Sequence, residues 1–81
     1  MSGGDRPADL LAFEAEWLNR PHDGRYERDV RERFGTSVTR HLQRVNAIIN
    51  TAGANEADPV MCRILRERRD AKMRQRPTRG A

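Results

Sequence analysis

Tyr26-Glu27-Arg28-Asp29-Val30-Arg31-Glu32-Arg33-Phe34-Gly35-Thr36-Ser37-Val38-Thr39-Arg40-His41-Leu42 is the stretch whose reading decides the fold. Before the glycine, Tyr26, Val30 and Phe34 fall four apart, the spacing of one helix face. Gly35 then ends that helix, because glycine takes the backbone conformations in which helices terminate. Ser37 is a good N-cap, since its hydroxyl can accept from a free N–H of the next helix. After it, Val38, Leu42, Val45 and Ile49 recur at i, i+4, i+7 and i+11, with Ile48 alongside. Two short helices, at about 24–34 and 38–50, joined by Phe34-Gly35-Thr36-Ser37, form the pattern of a helix-turn-helix.

Working outward, Pro7 and Asp9 open a first helix at about 7–19, with Leu10, Phe13 and Trp17 at helical spacing and Leu11 and Leu18 beside them. Glu14 falls inside that apolar arc. A buried carboxylate needs a partner or a route to water, and an arginine from another helix is the expected partner. Asn19-Arg20-Pro21-His22-Asp23-Gly24 reads as a turn in which Asp23 caps the second helix. The second helix alternates in charge, reads as a solvated face, and places Asp29 and Arg33 as an i, i+4 pair. Thr51 to Ala57 reads as a loop of small residues. Asp58-Pro59 is a strong helix start, and Val60, Met61, Ile64 and Leu65 follow on one side. Past Leu65 the basic residues Arg66, Arg68, Arg69, Lys72, Arg74 and Arg76 surround the axis, which predicts that the helix leaves the core there and frays before Pro77.

The expected fold is therefore all-α: a small bundle of about four helices containing a helix-turn-helix, with a basic C-terminal extension. The division is a disordered segment at 1–6, a helix-turn-helix domain at 7–65, and a basic helical extension and flexible tail at 66–81. At 81 residues the chain supports one domain and a modest core. No run approaches a membrane helix, and no basic-then-apolar start suggests a signal peptide, so the expected location is cytoplasmic. Cys62 is a lone cysteine and cannot close an internal disulfide. His and Cys are too scattered for a metal site, and no cofactor is indicated. No acid–base pair, nucleophile constellation or phosphate-cradling glycine loop is present, so an enzyme is not expected.

The net charge is +4, unevenly spread. Residues 63–81 hold eight basic and two acidic residues, whereas residues 1–62 hold eight basic and ten acidic. Fifteen of the sixteen basic residues are arginine, the side chain that grips phosphate bidentately and reads guanine edges; GC-rich codon usage produces the same bias. The expected partner is DNA. Ser37, Thr39, Arg40, Gln43 and Arg44 are the candidate recognition residues on the third helix, and Arg66, Arg69, Lys72, Arg74 and Arg76 the candidate phosphate contacts. Arg40 and His41 sit in the first turn of that helix with no acid to offset them, a charge placement that docking phosphates would relieve. His41 reads as a residue at the core edge. The spread of the C-terminal cations suits non-specific contact. A homodimer through the fourth helix is the expected assembly of such a module. The competing reading is a protein-interaction module that binds transcription machinery or another regulator.

Leu11-Ala12-Phe13-Glu14 with Trp17, Arg31-Glu32, Phe34-Gly35, Ser37 with Thr39-Arg40, Gln43, Asn46-Ala47, Ile49, Ala57-Asp58-Pro59 and the Arg-rich end together resemble domain-of-unknown-function family 3263, a family of small actinobacterial proteins. The resemblance covers residues 10 to about 75. It implies a helix-turn-helix related to the DNA-binding parts of sigma factors, with no assigned activity. The family pattern is apolar where this chain has Asp29 and Arg33, a departure that weakens the core face of the second helix. Glu14 and Arg40 both match the pattern, and a bridge between them would make Arg40 structural.

Overall fold

The computed structural model describes residues 6–75, and all of their regular structure is helical. Five helices follow one another: α1 Pro7–Glu16, α2 Gly24–Phe34, α3 Val38–Ile48, α4 Ala52–Ala57 and α5 Pro59–Gln75. Residues 1–5, Arg76 and the rest of the tail lie outside the described residues, so the expected disordered start and frayed end are not described.

Each helix start is chemically defined. Proline occupies the first turn of α1. Asp23 accepts from the Arg25 N–H at α2, Ser37 from Arg40 at α3, and Thr51 from Ala54 at α4. The Asp58 carboxylate accepts from the Met61 N–H at 3.0 Å and so opens α5. Gly35 ends α2 in the left-handed conformation at φ 66°, with its N–H donating to the Arg31 carbonyl at 2.9 Å. No side chain crowds that site, so the demand for glycine is a demand of backbone conformation alone.

α1 is the central helix and packs against α3, α4 and α5. It buries residues on two sides. Leu10 and Leu11 join Val45, Ile49, Ala54, Met61 and Cys62, whereas Phe13 and Trp17 join Tyr26 and Val30. Phe34 packs against both groups and links them. The second group is aromatic: Phe13 meets Phe34 edge-on at 5.2 Å between ring centres and Tyr26 at 5.6 Å.

Several expectations need correction. The segment 51–57 is helical from Ala52, not a loop. Its turn buries Ala54 completely, and Asn55 donates from Nδ2 to the Ile49 carbonyl at 3.0 Å and to the Thr51 carbonyl at 2.7 Å. A six-residue helix spans less than two turns and carries no period to read. Val60 is 64% exposed, while Cys62 takes the buried position beside Met61. Arg33 does not pair with Asp29; it spans to α1 and meets both oxygens of Glu16 at 3.2 and 3.4 Å. The last helix also stays against the body beyond Leu65. Arg66 donates to the Ile49 carbonyl at 2.8 Å and to Asn55 Oδ1 at 3.2 Å, and Arg68 donates to the Leu18 carbonyl at 3.1 Å. Open carbonyls near the ends of α3 and α1 draw these guanidinium groups inward.

Gly35→Ala should lower unfolding free energy by about 1 kcal/mol, because alanine is strained at positive φ. Ser37→Ala should cost a similar amount, about 1 kcal/mol, through loss of the cap. Urea unfolding followed by far-UV circular dichroism checks both, and an unchanged midpoint for Gly35→Ala would contradict the left-handed assignment.

Candidate nucleic-acid interface

The register of α3 sorts its side chains into three sets. His41, Val45 and Ile49 point into the core. Leu42 and Arg44 are half-buried at the flanks. Thr39, Arg40, Gln43, Asn46 and Ala47 are exposed. Ser37 is exposed too, but its hydroxyl is committed to capping at 3.2 Å from the Arg40 N–H. Among the described residues, no hydrogen bond or ion pair engages the side chains of Thr39, Arg40, Gln43 or Arg44. Four of the five expected recognition residues therefore lie on α3 with uncommitted polar ends, and the fifth, Ser37, caps that helix.

The basic residues of α5 divide differently. Arg66 is half-buried and held by Ile49 and Asn55, so its guanidinium serves the fold. Arg69 lies 3.6 Å from Asp70, and Lys72 and Arg74 are exposed. Arg76 lies outside the described residues. The cations do not all spread around the axis as expected: Arg68, Arg69 and Lys72 line one cleft of about 340 Å³. The spacing explains this, since Leu65, Arg69 and Lys72 succeed one another at i, i+4 and i+7 along one face. The opposite wall includes Leu42, Val45 and Asn46 of α3.

Beneath this surface lies a buried polar junction. Glu14, on α1, is 4% exposed. Its Oε2 accepts from the Tyr26 hydroxyl of α2 at 2.7 Å and from His41 Nε2 of α3 at 2.8 Å. The partners of Glu14 are thus a tyrosine and a histidine, not the arginine expected. The proposed bridge to Arg40 is absent, because Arg40 points outward one position away from His41. His41 is 0% exposed and belongs to the core, not to its edge. Its ring stacks on Phe34 at 5.0 Å and meets Phe13 edge-on at 5.4 Å. A carboxylate only accepts, so Nε2 carries the hydrogen, and Nδ1 has no partner among the described residues.

Residues 4–77 match the family described as Protein of unknown function (DUF3263). The chain belongs to this family. Neither a curated protein nor a solved structure matches it. In this DUF3263 chain, no group of three or more His, Cys, Asp or Glu is placed to hold a metal ion among the described residues. No helix among them is long and apolar enough to cross a membrane.

Glu14 stands out in the sequence, but its partners do not. The signal was available at Tyr26, whose hydroxyl must find an acceptor once its ring is buried. It was available at His41 too, a polar residue one position before Leu42 within the apolar stripe. His22 was also missed; its ring lies flat on Tyr26 at 3.9 Å, fixing the turn before α2 against the aromatic group.

Burial and the neighbouring Glu14 carboxylate push the Tyr26 phenol far above its ordinary value of 10.0. The folded protein therefore holds this proton more tightly than the unfolded chain. The resulting stabilisation is complete below pH 10.0 and is lost as the pH rises above it. Unfolding free energy should fall by up to about 1.4 kcal/mol per pH unit in that range. Tyr26→Phe should remove this slope and cost about 1 kcal/mol at neutral pH through the lost hydrogen bond. Urea unfolding from neutral to alkaline pH measures both, and equal slopes in the two proteins would rule out the buried phenol as the cause.

Proposed function

We propose that this protein is a small DNA-binding regulator whose helix α3 enters the major groove. The observation that carries the reading is the exposed side of α3, where Thr39, Arg40 and Gln43, with Arg44 at its flank, have no intramolecular partner among the described residues. The α3 N-terminal turn contains no acid. Arginine and glutamine are the groups that pair bidentately with guanine and adenine edges. Arg69, Lys72 and Arg74 on α5 supply phosphate contacts that fix orientation without reading sequence. Arg66, held within the fold, contributes by keeping α5 against the end of α3.

The reading extends to a helix-turn-helix of the kind found in sigma factors, in an actinobacterial protein acting in the cytoplasm without catalysis of its own. A homodimer would supply the second half-site that such modules commonly use.

Duplex DNA binding at about 50 and 200 mM salt is the direct test, because phosphate contacts weaken steeply over that range. Salt-sensitive binding is expected. Arg40→Ala with Arg44→Ala should weaken it by at least about tenfold, since a bidentate base contact contributes about 1–3 kcal/mol. The folded state should be retained, because neither side chain is engaged in the core. Absence of binding at low salt would overturn the proposal and favour a protein partner for the same face. Loss of binding only on removal of residues 76–81 would overturn the role of α3.

A further inference from the structure

The cleft between α3 and α5 has a chemical layout that nucleic-acid binding does not explain. Glu14 lines it, although the residue is almost completely buried. Both bonds to Glu14, from Tyr26 and from His41, end on Oε2. Oε1 has no hydrogen-bond partner among the described residues, and it is not among the buried polar atoms cut off from solvent. The cleft therefore contains a carboxylate oxygen that needs a donor. Its walls include Leu42, Val45 and Leu65, and its other end carries Arg69 and Lys72.

The polarity of the site runs in one direction. Arg68 of α5 reaches the Leu18 carbonyl, four residues beyond Glu14 along the first segment of the chain. Lys72 lies one further turn along α5. From Leu65 to Lys72 the wall changes from apolar to cationic over about 10 Å of helix. A phosphodiester or an acidic peptide would suit the cationic end but would place anions or nothing at all against Glu14. A simple amine would suit Glu14 and be repelled by the cations at the mouth.

We infer that this cleft binds a small zwitterionic molecule, with an amine hydrogen-bonded to Glu14 Oε1, a short methylene stem along Leu42, Val45 and Leu65, and a carboxylate or phosphate held by Arg69 and Lys72. The rise of α5 from Leu65 to Lys72, about 10 Å, sets the length of stem to test, a chain of about five methylenes. Charge-assisted bonds at both ends supply the recognition, and the apolar wall excludes water from the stem. Arg69 and Lys72 are also phosphate contacts in the DNA-binding proposal, but this binding needs no DNA, so it stands or falls separately from the role of α3.

The test is a proton–nitrogen chemical-shift titration of the full chain, without DNA, using three probes. ε-Aminocaproate carries both charged ends, caproate lacks the amine, and n-pentylamine lacks the carboxylate. A phosphate-ended counterpart, an aminoalkyl phosphate of similar length, distinguishes which anion the cationic end prefers. Shifts clustered at Glu14, Leu42, Val45, Leu65, Arg69 and Lys72 are expected, with the two-ended probes bound at least about tenfold more tightly than either one-ended probe. Glu14→Gln should abolish the preference for ε-aminocaproate over caproate. Arg69→Ala with Lys72→Ala alters exposed and half-buried positions outside the core, so it tests the site even where Glu14→Gln fails to fold. That pair should abolish the preference for ε-aminocaproate over n-pentylamine. Equal affinity for one-ended and two-ended probes, shifts located away from the cleft, or no shifts at about 10 mM of either two-ended probe would overturn the inference.

Discussion

A carboxylate buried where three helices meet is the constraint on which the arrangement depends. Glu14 cannot be left without donors in an apolar interior, and the donors come from α2 and α3. Their bonds converge on one oxygen, so α1, α2 and α3 are fixed relative to one another at a single point. The aromatic rings of Phe13, Phe34 and Tyr26 then pack around that point. Apolar packing tolerates small slips, because any similar shape is nearly as good. A hydrogen bond to a buried charge does not, since a slip would leave the charge unpaired.

This constraint decides which face of α3 meets the solvent. Successive residues on a helix differ by about 100° in direction, from 3.6 residues per turn. Once His41 points at Glu14, Thr39 and Gln43 are turned about 200° from it and Arg40 about 100°, and all three are exposed. An arginine partner for Glu14 taken from α3 would have rotated the helix and buried part of the polar face. Histidine fits where arginine does not: its flat ring stacks on Phe34 and presents one N–H to the carboxylate. Arginine would bring further donors into a pocket walled by aromatic rings, where they would lack acceptors. The outward direction of Arg40 is thus a consequence of a buried interaction, whatever that arginine contacts.

The legible features were those carried by local chemistry. Asp23, Gly35, Ser37 and Asp58-Pro59 mark helix ends through bonds made within a few residues, and the boundaries of α2 and the starts of α3 and α5 follow from them. Long periodic stripes gave α1 and α3, although each ends short of the expected 19 and 50, at Glu16 and Ile48. The features that escaped involve distant partners or too few residues. α4 buries one alanine and shows no period. Val60 was misplaced because hydrophobicity ranks valine as a core residue, while the phase of α5, set by Met61 and Leu65, exposes Val60 and buries Cys62. Arg66 and Arg68 read as a solvated basic extension, yet they bond to backbone carbonyls 17 and 50 residues away. A guanidinium looks the same in a sequence whether it faces a phosphate or an open carbonyl.

The two oxygens of Glu14 connect the fold to its surface. Oε2 is fully used in holding three helices together, while Oε1 adjoins the cleft between α3 and α5. A donor bound at Oε1 would draw charge density from the same carboxylate that accepts from Tyr26 and His41, and so would alter the strength of both internal bonds. Because α3 forms one wall of the cleft and also bears the uncommitted polar face, anything that shifts α3 at His41 shifts Arg40 and Gln43 with it. Coupling of this kind requires no long pathway, since the cleft, the junction and the exposed face are all within two turns of one helix. Among the described residues His41 Nδ1 has no partner, so the bond to Glu14 and the contacts with Phe34 and Phe13 are what fix the ring. The polar junction that gives the fold its register is therefore also the point through which a change at the cleft would reach the exposed face of α3.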